Sequence, residues 1–315
     1  MGMQRRAGGV IVLLVLLIVP TAALDRLTSS SVAVAFLLGV VLFGPVRLRH
    51  GPRAALVTGG GAALVVTVAN LLGGHPWALA ALVALATFAA GLSARWGLHS
   101  AVVLVPVAGV VLHAPTSPRH AVGLGVALFA GAVYGIVLLG GLHLPAPAPD
   151  QAVTLPGAAV FGVVLAMLTG PATLVTTAAG VPHGYWVALT ILMVVQPSLE
   201  ASRRRAVERI VGNVLGAVAA AVTTTVITNN EVLLGLGLLL GVASAGVAGS
   251  YTLQSTLLTM SVVLLVGGHD SGESTALLRL ALTVTGGVAV LAACFVLPRV
   301  LRLVSPGRAP DNETV

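Results

Sequence analysis

Apolar runs recur almost without pause from Val10 to Leu297, and nearly all the charges that interrupt them fall between runs. This patterning constrains the fold more than any motif. A helix needs about 20 apolar residues to cross the roughly 30 Å hydrocarbon core of a bilayer. With 57% hydrophobic and 8% charged residues and a mean hydropathy of +1.05, a water-soluble domain could not hide the apolar surface, so the solvent must largely be lipid.

The runs predict an all-α polytopic membrane protein of about twelve transmembrane helices. In the first half they fall at Val10 to Leu24, Ser30 to Phe43, Arg53 to Leu72, Trp77 to Leu92, Leu98 to Leu112 and Ala121 to Leu142. A proline-rich stretch, His143 to Pro156, then divides the chain. Runs resume at Gly157 to Ala179, Tyr185 to Val195, Ala206 to Ile227, Val232 to Ala248, Thr252 to Val266 and Thr275 to Leu297. The expected organisation is a first repeat over residues 1–142, a cytoplasmic linker over 143–156, a second repeat over 157–300 and a tail over 301–315. Arg5 and Arg6 before the first run also fit the basic end of a signal peptide, with Thr21, Ala22 and Ala23 ahead of Asp25. The equivalent span in the second half favours a retained helix.

The repeat rests on three observations. WGLHSAVVLVPVAGVVL (Trp96 to Leu112) parallels YTLQSTLLTMSVVLLVG (Tyr251 to Gly267). An offset of 155 residues sets Gly61 on Gly216, Gly91 on Gly246 and Gly131 on Gly286, and a slightly smaller one sets Gly44-Pro45 on Gln196-Pro197. Six helices per half is an even number, so the halves enter the membrane the same way round as parallel repeats. In a chain with 38 glycines, chance coincidence is the competing explanation.

All the basic residues are arginine. With a cytoplasmic N-terminus, Arg5, Arg6, Arg47, Arg49, Arg53, Arg95, Arg203, Arg204, Arg205, Arg209, Arg299, Arg302 and Arg308 fall inside, and only Arg26, Arg119 and Arg279 fall outside or at the outer interface. The positive-inside rule therefore puts both termini in the cytoplasm. The net charge of +7 is a topological signal and does not point to nucleic acid, because the charges alternate with apolar spans and 4% aromatic content builds no stacking platform. The eight histidines are scattered singly, so no metal or other cofactor is expected, and no nucleophile motif or phosphate-cradling loop appears. The single Cys294 lies in an apolar run and reads as a packing residue.

Pro182 to Gly216, PHGYWVALTILMVVQPSLEASRRRAVERIVGNVLG, departs from the plain apolar pattern. Tyr185 to Val195 is too short to cross the core, Gln196-Pro197 stops it, and Arg203, Arg204, Arg205 and Arg209 follow. Broken helices at matching positions of two repeats mark the substrate path in repeat transporters. Ser30 to Phe43, ending at Gly44-Pro45, is the counterpart in the first half. Arg205, Arg209, Asn213, Gly216 and Ala220 share one helix face, which passes from basic to polar to small. An arginine fork suits a carboxylate. The candidate binding residues are therefore Arg203, Arg204, Arg205, Arg209, Gln196, Asn213, Tyr185 and Trp186. Lipid anchoring of the arginines and an interfacial belt for the aromatic pair are the competing explanations. Gln254 and Arg279 are further polar positions, with Arg279 read as a snorkelling or helix-pairing residue.

These residues carry a resemblance. Tyr185-Trp186, Leu189-Thr190, Gln196-Pro197-Ser198, Arg203 to Arg205, Arg209, Gly212 and Gly216 resemble the hallmark of the fusaric acid resistance family of integral membrane transporters, also described as aromatic acid exporters. Tyr251, Arg279, Thr283 and Gly286 are similar to its later motif. Asn213 stands where a threonine is usual, and Leu282 where an aspartate is usual, which bears on any proton relay there. The likeness covers about Gly157 to Pro298. It implies a plasma or inner membrane exporter of aromatic carboxylates driven by the proton gradient, with a small organic anion and the bilayer as partners and a homodimer as the assembly. Plant malate channels are similar in their membrane domain, so a passive anion channel stays open as an alternative. A structural membrane partner that does not transport is another.

Overall fold

In the computed structural model, the described residues are 19–114, 116–141, 150–227, 229–247, 250–267 and 272–304. Among them every regular element is a helix. The expected first span, Val10 to Leu24, lies mostly outside them, with residues 19–27 helical at its end. The chain divides into two compact units, Met1–Gly180 and Val181–Val315.

The first unit opens with α1 (Ser30–Leu71), 42 residues long. At 1.5 Å per residue that is about twice the bilayer core, so it cannot be one span. It breaks at Gly51, where φ is 86° and ψ 170°. Pro52 bars the helical conformation from the residue before it, and glycine takes the positive φ at no steric cost. The expected stop at Gly44-Pro45 does not occur, because Pro45 sits inside the helix. Proline forfeits one hydrogen bond there without ending a membrane helix. The first half therefore has no short, proline-ended counterpart to the Tyr185 helix.

After α1 come α2 (Pro76–Leu92), a 3-10 turn at Ser93–Trp96, the short α3 (His99–Val102) and α4 (Leu104–Val111), then α5 (Pro118–Gly140) and α6 (Leu155–Ala178). Ser117 and Thr154 cap α5 and α6 by accepting from His120 N and Gly157 N, and a proline opens each helix, where its missing N–H costs nothing. α5 packs along α1, and α6 along α2. The core between α1 and α5 is apolar: Ala35, Phe36, Phe43, Leu124 and Leu128 are all buried in one cluster, with Ala54 packed against it.

The second unit holds α7 (Tyr185–Val194), α8 (Leu199–Val226), α9 (Asn230–Gly246), α10 (Tyr251–Gly267) and α11 (Gly272–Val304). α8 packs on α10 and α11, α7 on α11, and α9 on α10. Among the described residues six stretches are long and apolar enough to cross a membrane: Ser30–Leu71, Pro76–Trp96, Pro118–Gly140, Leu155–Ala178, Leu199–Val226 and Leu277–Val296. His99–Val111, Tyr185–Val194 and Tyr251–Leu264 are shorter apolar helices.

Candidate anion site

The ten residues of α7 rise about 15 Å, half of a hydrocarbon core. The helix is short because both ends are fixed. Before it, Gly180 and His183 take positive φ values of 60° and 54°. After it, the chain turns at Val195 toward Pro197, and Ser202 holds the turn: its Oγ accepts from Gln196 N at 2.8 Å and donates to Ser198 O at 2.9 Å. Ser198 caps α8 by accepting from Ala201 N at 3.2 Å.

Arg279 on α11 is only 4% exposed, and its guanidinium carbon lies 4.1 Å from the centre of the Trp186 ring on α7. Stacked in this way, a guanidinium keeps its N–H edge available for a second partner. One turn along each helix stand Thr283 and Thr190, both buried. The helices touch at Gly286, a turn beyond Thr283 on α11: a Cβ there would come within 2.9 Å of Val187 O and Thr190 Cβ on α7, so only glycine permits the crossing. α8 adds Arg209, 3% exposed and near enough to Arg279 for the two charges to repel. Among the described residues all three Arg279 nitrogens, Arg209 Nε and the hydroxyls of Thr190 and Thr283 have no hydrogen-bond partner. Buried polar groups are almost always paired, and such a concentration of orphans, all of them able to donate, marks a place for an acceptor.

The candidate residues from the sequence separate into two groups. Tyr185, Trp186 and Arg209 lie at this site, with the Tyr185 and Trp186 rings 5.3 Å apart. Asn213 flanks it with both ends of its amide engaged: Nδ2 donates to Arg209 O at 2.7 Å, and Oδ1 accepts from Thr259 on α10. The others gather where α7 meets α8. Arg205 stacks on Tyr251 at 5.3 Å, and the Gln196 amide folds back to donate to Val195 O at 2.8 Å. Arg203 and Arg204 are exposed. Arg204 pairs with Glu208 at 3.3 Å, a surface contact of small energetic weight. Of the two roles expected for Arg279, snorkelling does not fit its burial, whereas its stacking on Trp186 fits the pairing of α11 with α7. Its signal was in the sequence, as an arginine inside an apolar helix with Thr283 and Gly286 four and seven residues on.

The first unit has a polar cluster of its own, at the break of α1. Asp150 lies 3.3 Å from Arg49, 3.4 Å from His99 and 3.8 Å from His50, and its carboxylate accepts from Ser100 N at 3.0 Å. Burial alone would raise this carboxyl. The Ser100 hydrogen bonds and the charges of His99 and Arg49 outweigh it and hold the group below its ordinary value. This cluster ties the end of the expected linker to α1 and α3.

Six helices of spanning length and a buried cationic site define the class: a multi-pass α-helical membrane protein with features of a transporter. Residues 171–293 match the family model described as fusaric acid resistance protein-like, a stretch that includes Trp186, Arg209 and Arg279 and bears out the resemblance carried by those motifs. Comparison with curated proteins and with solved structures gives no significant match.

Proposed function

We propose that this chain exports organic anions, aromatic carboxylates foremost, across the plasma or inner membrane, and that the anion binds between Trp186, Arg279 and Arg209. The observation that carries the reading is the Arg279 guanidinium, stacked on an indole with its hydrogen-bonding edge unengaged. That pairing offers two donors to a carboxylate and an aromatic face to the ring attached to it. Arg205, Arg203 and Arg204 form the basic mouth on the cytoplasmic side, concentrating anions there without gripping them.

The same reading takes the chain as two parallel repeats with cytoplasmic termini. Supporting it, a contact recurs at the sequence offset. Gly61 faces Val105 in the first unit as Gly216 faces Met260 in the second.

The test is saturable uptake of labelled benzoate into proteoliposomes, competed by unlabelled aromatic carboxylates and left unaffected by benzylamine. Absence of any saturable benzoate flux, or equal competition by the amine, would remove the anion-export reading.

A further inference from the structure

Two guanidiniums are buried in the second unit, and no carboxylate answers them among the described residues. Glu208 is engaged by Arg204, and Glu200 is exposed in the first turn of α8. An arginine does not escape burial by losing its proton. The Trp186 face offsets part of the cost of one charge, and Arg209 adds repulsion. The groups around them, Thr190 and Thr283, carry unengaged hydroxyls able to donate. Every orphan at the site can therefore donate to an anion, and a halide needs only donors.

A site built in this way is costly to vacate, and that has a kinetic consequence. A protein returning across the membrane without an anion would carry two uncompensated charges through the rearrangement, whereas one returning with a monovalent anion would carry one. We infer that the Trp186, Arg279 and Arg209 site takes a small inorganic anion of halide size as counter-substrate, so that transport is an obligatory exchange of one anion for another. This rests on the functional reading above in placing the organic anion at the same site, and it replaces a proton with an inorganic anion as the coupled species.

The experiment loads proteoliposomes of the full chain with radiolabelled chloride and follows its efflux into baths of chloride, benzoate or the bulky anion gluconate. Efflux into chloride is expected to be at least about tenfold faster than into gluconate, with no net current under voltage clamp. Equal rates into chloride and gluconate overturn the exchange. Acceleration by chloride but not by benzoate supports the exchange and refutes the organic-anion reading alone. Binding is read separately by bromide quenching of tryptophan fluorescence. Trp77 and Trp96 are exposed at 76% and 65%, so they are replaced by phenylalanine to isolate Trp186. A saturable component lost in Arg279→Met is expected. Quenching without saturation, or saturation that persists in Arg279→Met, overturns the site.

Discussion

The two units share a pattern of close helix crossings and fill it with opposite chemistry. In the proposed parallel-repeat reading, an offset of 155 residues sets Arg279, Thr283, Arg209 and Asn213 of the second unit on Leu124, Leu128, Ala54 and Thr58 of the first. Leu124 and Leu128 are buried in an apolar cluster with Ala54 against it, and the Thr58 hydroxyl is returned to its own helix at Ala54 O, 2.7 Å away. Arg279, Arg209 and Thr283 are equally buried, and among the described residues the three Arg279 nitrogens, Arg209 Nε and the Thr283 hydroxyl have no hydrogen-bond partner. The difference separates what the crossing needs from what the site needs. Small residues at Gly131 and Gly286 let the helices meet in both units, while buried cations are present in one. Buried charge without a partner is a poor way to stabilise a protein, so its presence in the second unit argues for binding.

This comparison breaks most visibly if a charge is moved across it. Leu124→Arg puts an unpaired guanidinium into the apolar cluster and should cost more than about 4 kcal/mol, so that the protein no longer accumulates in membranes. Normal abundance, seen by quantitative immunoblotting, would mean that the first unit tolerates what the second was built for. Next in size is Gly286→Leu, which forces α7 and α11 apart. A loss of about 1–3 kcal/mol is expected by thermal unfolding in detergent, together with loss of benzoate flux as Trp186 leaves Arg279. Retained flux would detach the crossing from the site.

Trp186→Leu removes the ring under Arg279 and keeps the apolar bulk. Apparent benzoate affinity should fall by about tenfold, with abundance unchanged, as measured by concentration dependence of uptake. An unchanged value would leave the ring as packing only. The smallest effect belongs to the tie in the first unit. The Asp150 carboxyl is held below its ordinary value of 3.8, so its contribution is present above that pH and is lost as pH falls through the lower folded value. Protease cleavage near residue 150 should therefore be slow at neutral pH and rise only at acid extremes. In Asp150→Asn it should be faster at neutral pH and lose this pH dependence, and an unaltered cleavage profile would show that the cluster does not fasten the segment.

How far the sequence reached is clearest at α7 and α1. The half-length of Tyr185–Val194 was legible because its stop is written locally, in Gln196-Pro197 after it. The break in α1 was read at Pro45 and lies at Gly51. A proline in a membrane helix loses one hydrogen bond, but a glycine before a proline loses the helical conformation, and only the fold decides between two such candidates. Tyr185, Trp186 and Arg209 were found as part of one contiguous motif. Arg279 was read as a snorkelling or helix-pairing residue, because a lone arginine in an apolar run fits either role until its neighbours are known. Those neighbours, Trp186 and Thr190, lie some 90 residues away in sequence, and no local pattern joins them to it. The orphaned hydroxyls of Thr190 and Thr283 left no trace either, since a threonine in a membrane helix ordinarily returns its hydrogen bond to the preceding turn, as Thr176 does to Ala172 O at 2.8 Å.

The central claim is that the buried charge of the second unit serves binding at the expense of stability, and one variant tests both halves of it. Arg279→Leu installs the residue that stands 155 positions earlier, Leu124, in the first unit. Benzoate flux in proteoliposomes should fall by about a hundredfold or more, while the thermal midpoint in detergent stays level or rises. Flux close to that of the unmodified protein, or a thermal midpoint that drops as flux is lost, would contradict the account and make Arg279 a structural residue.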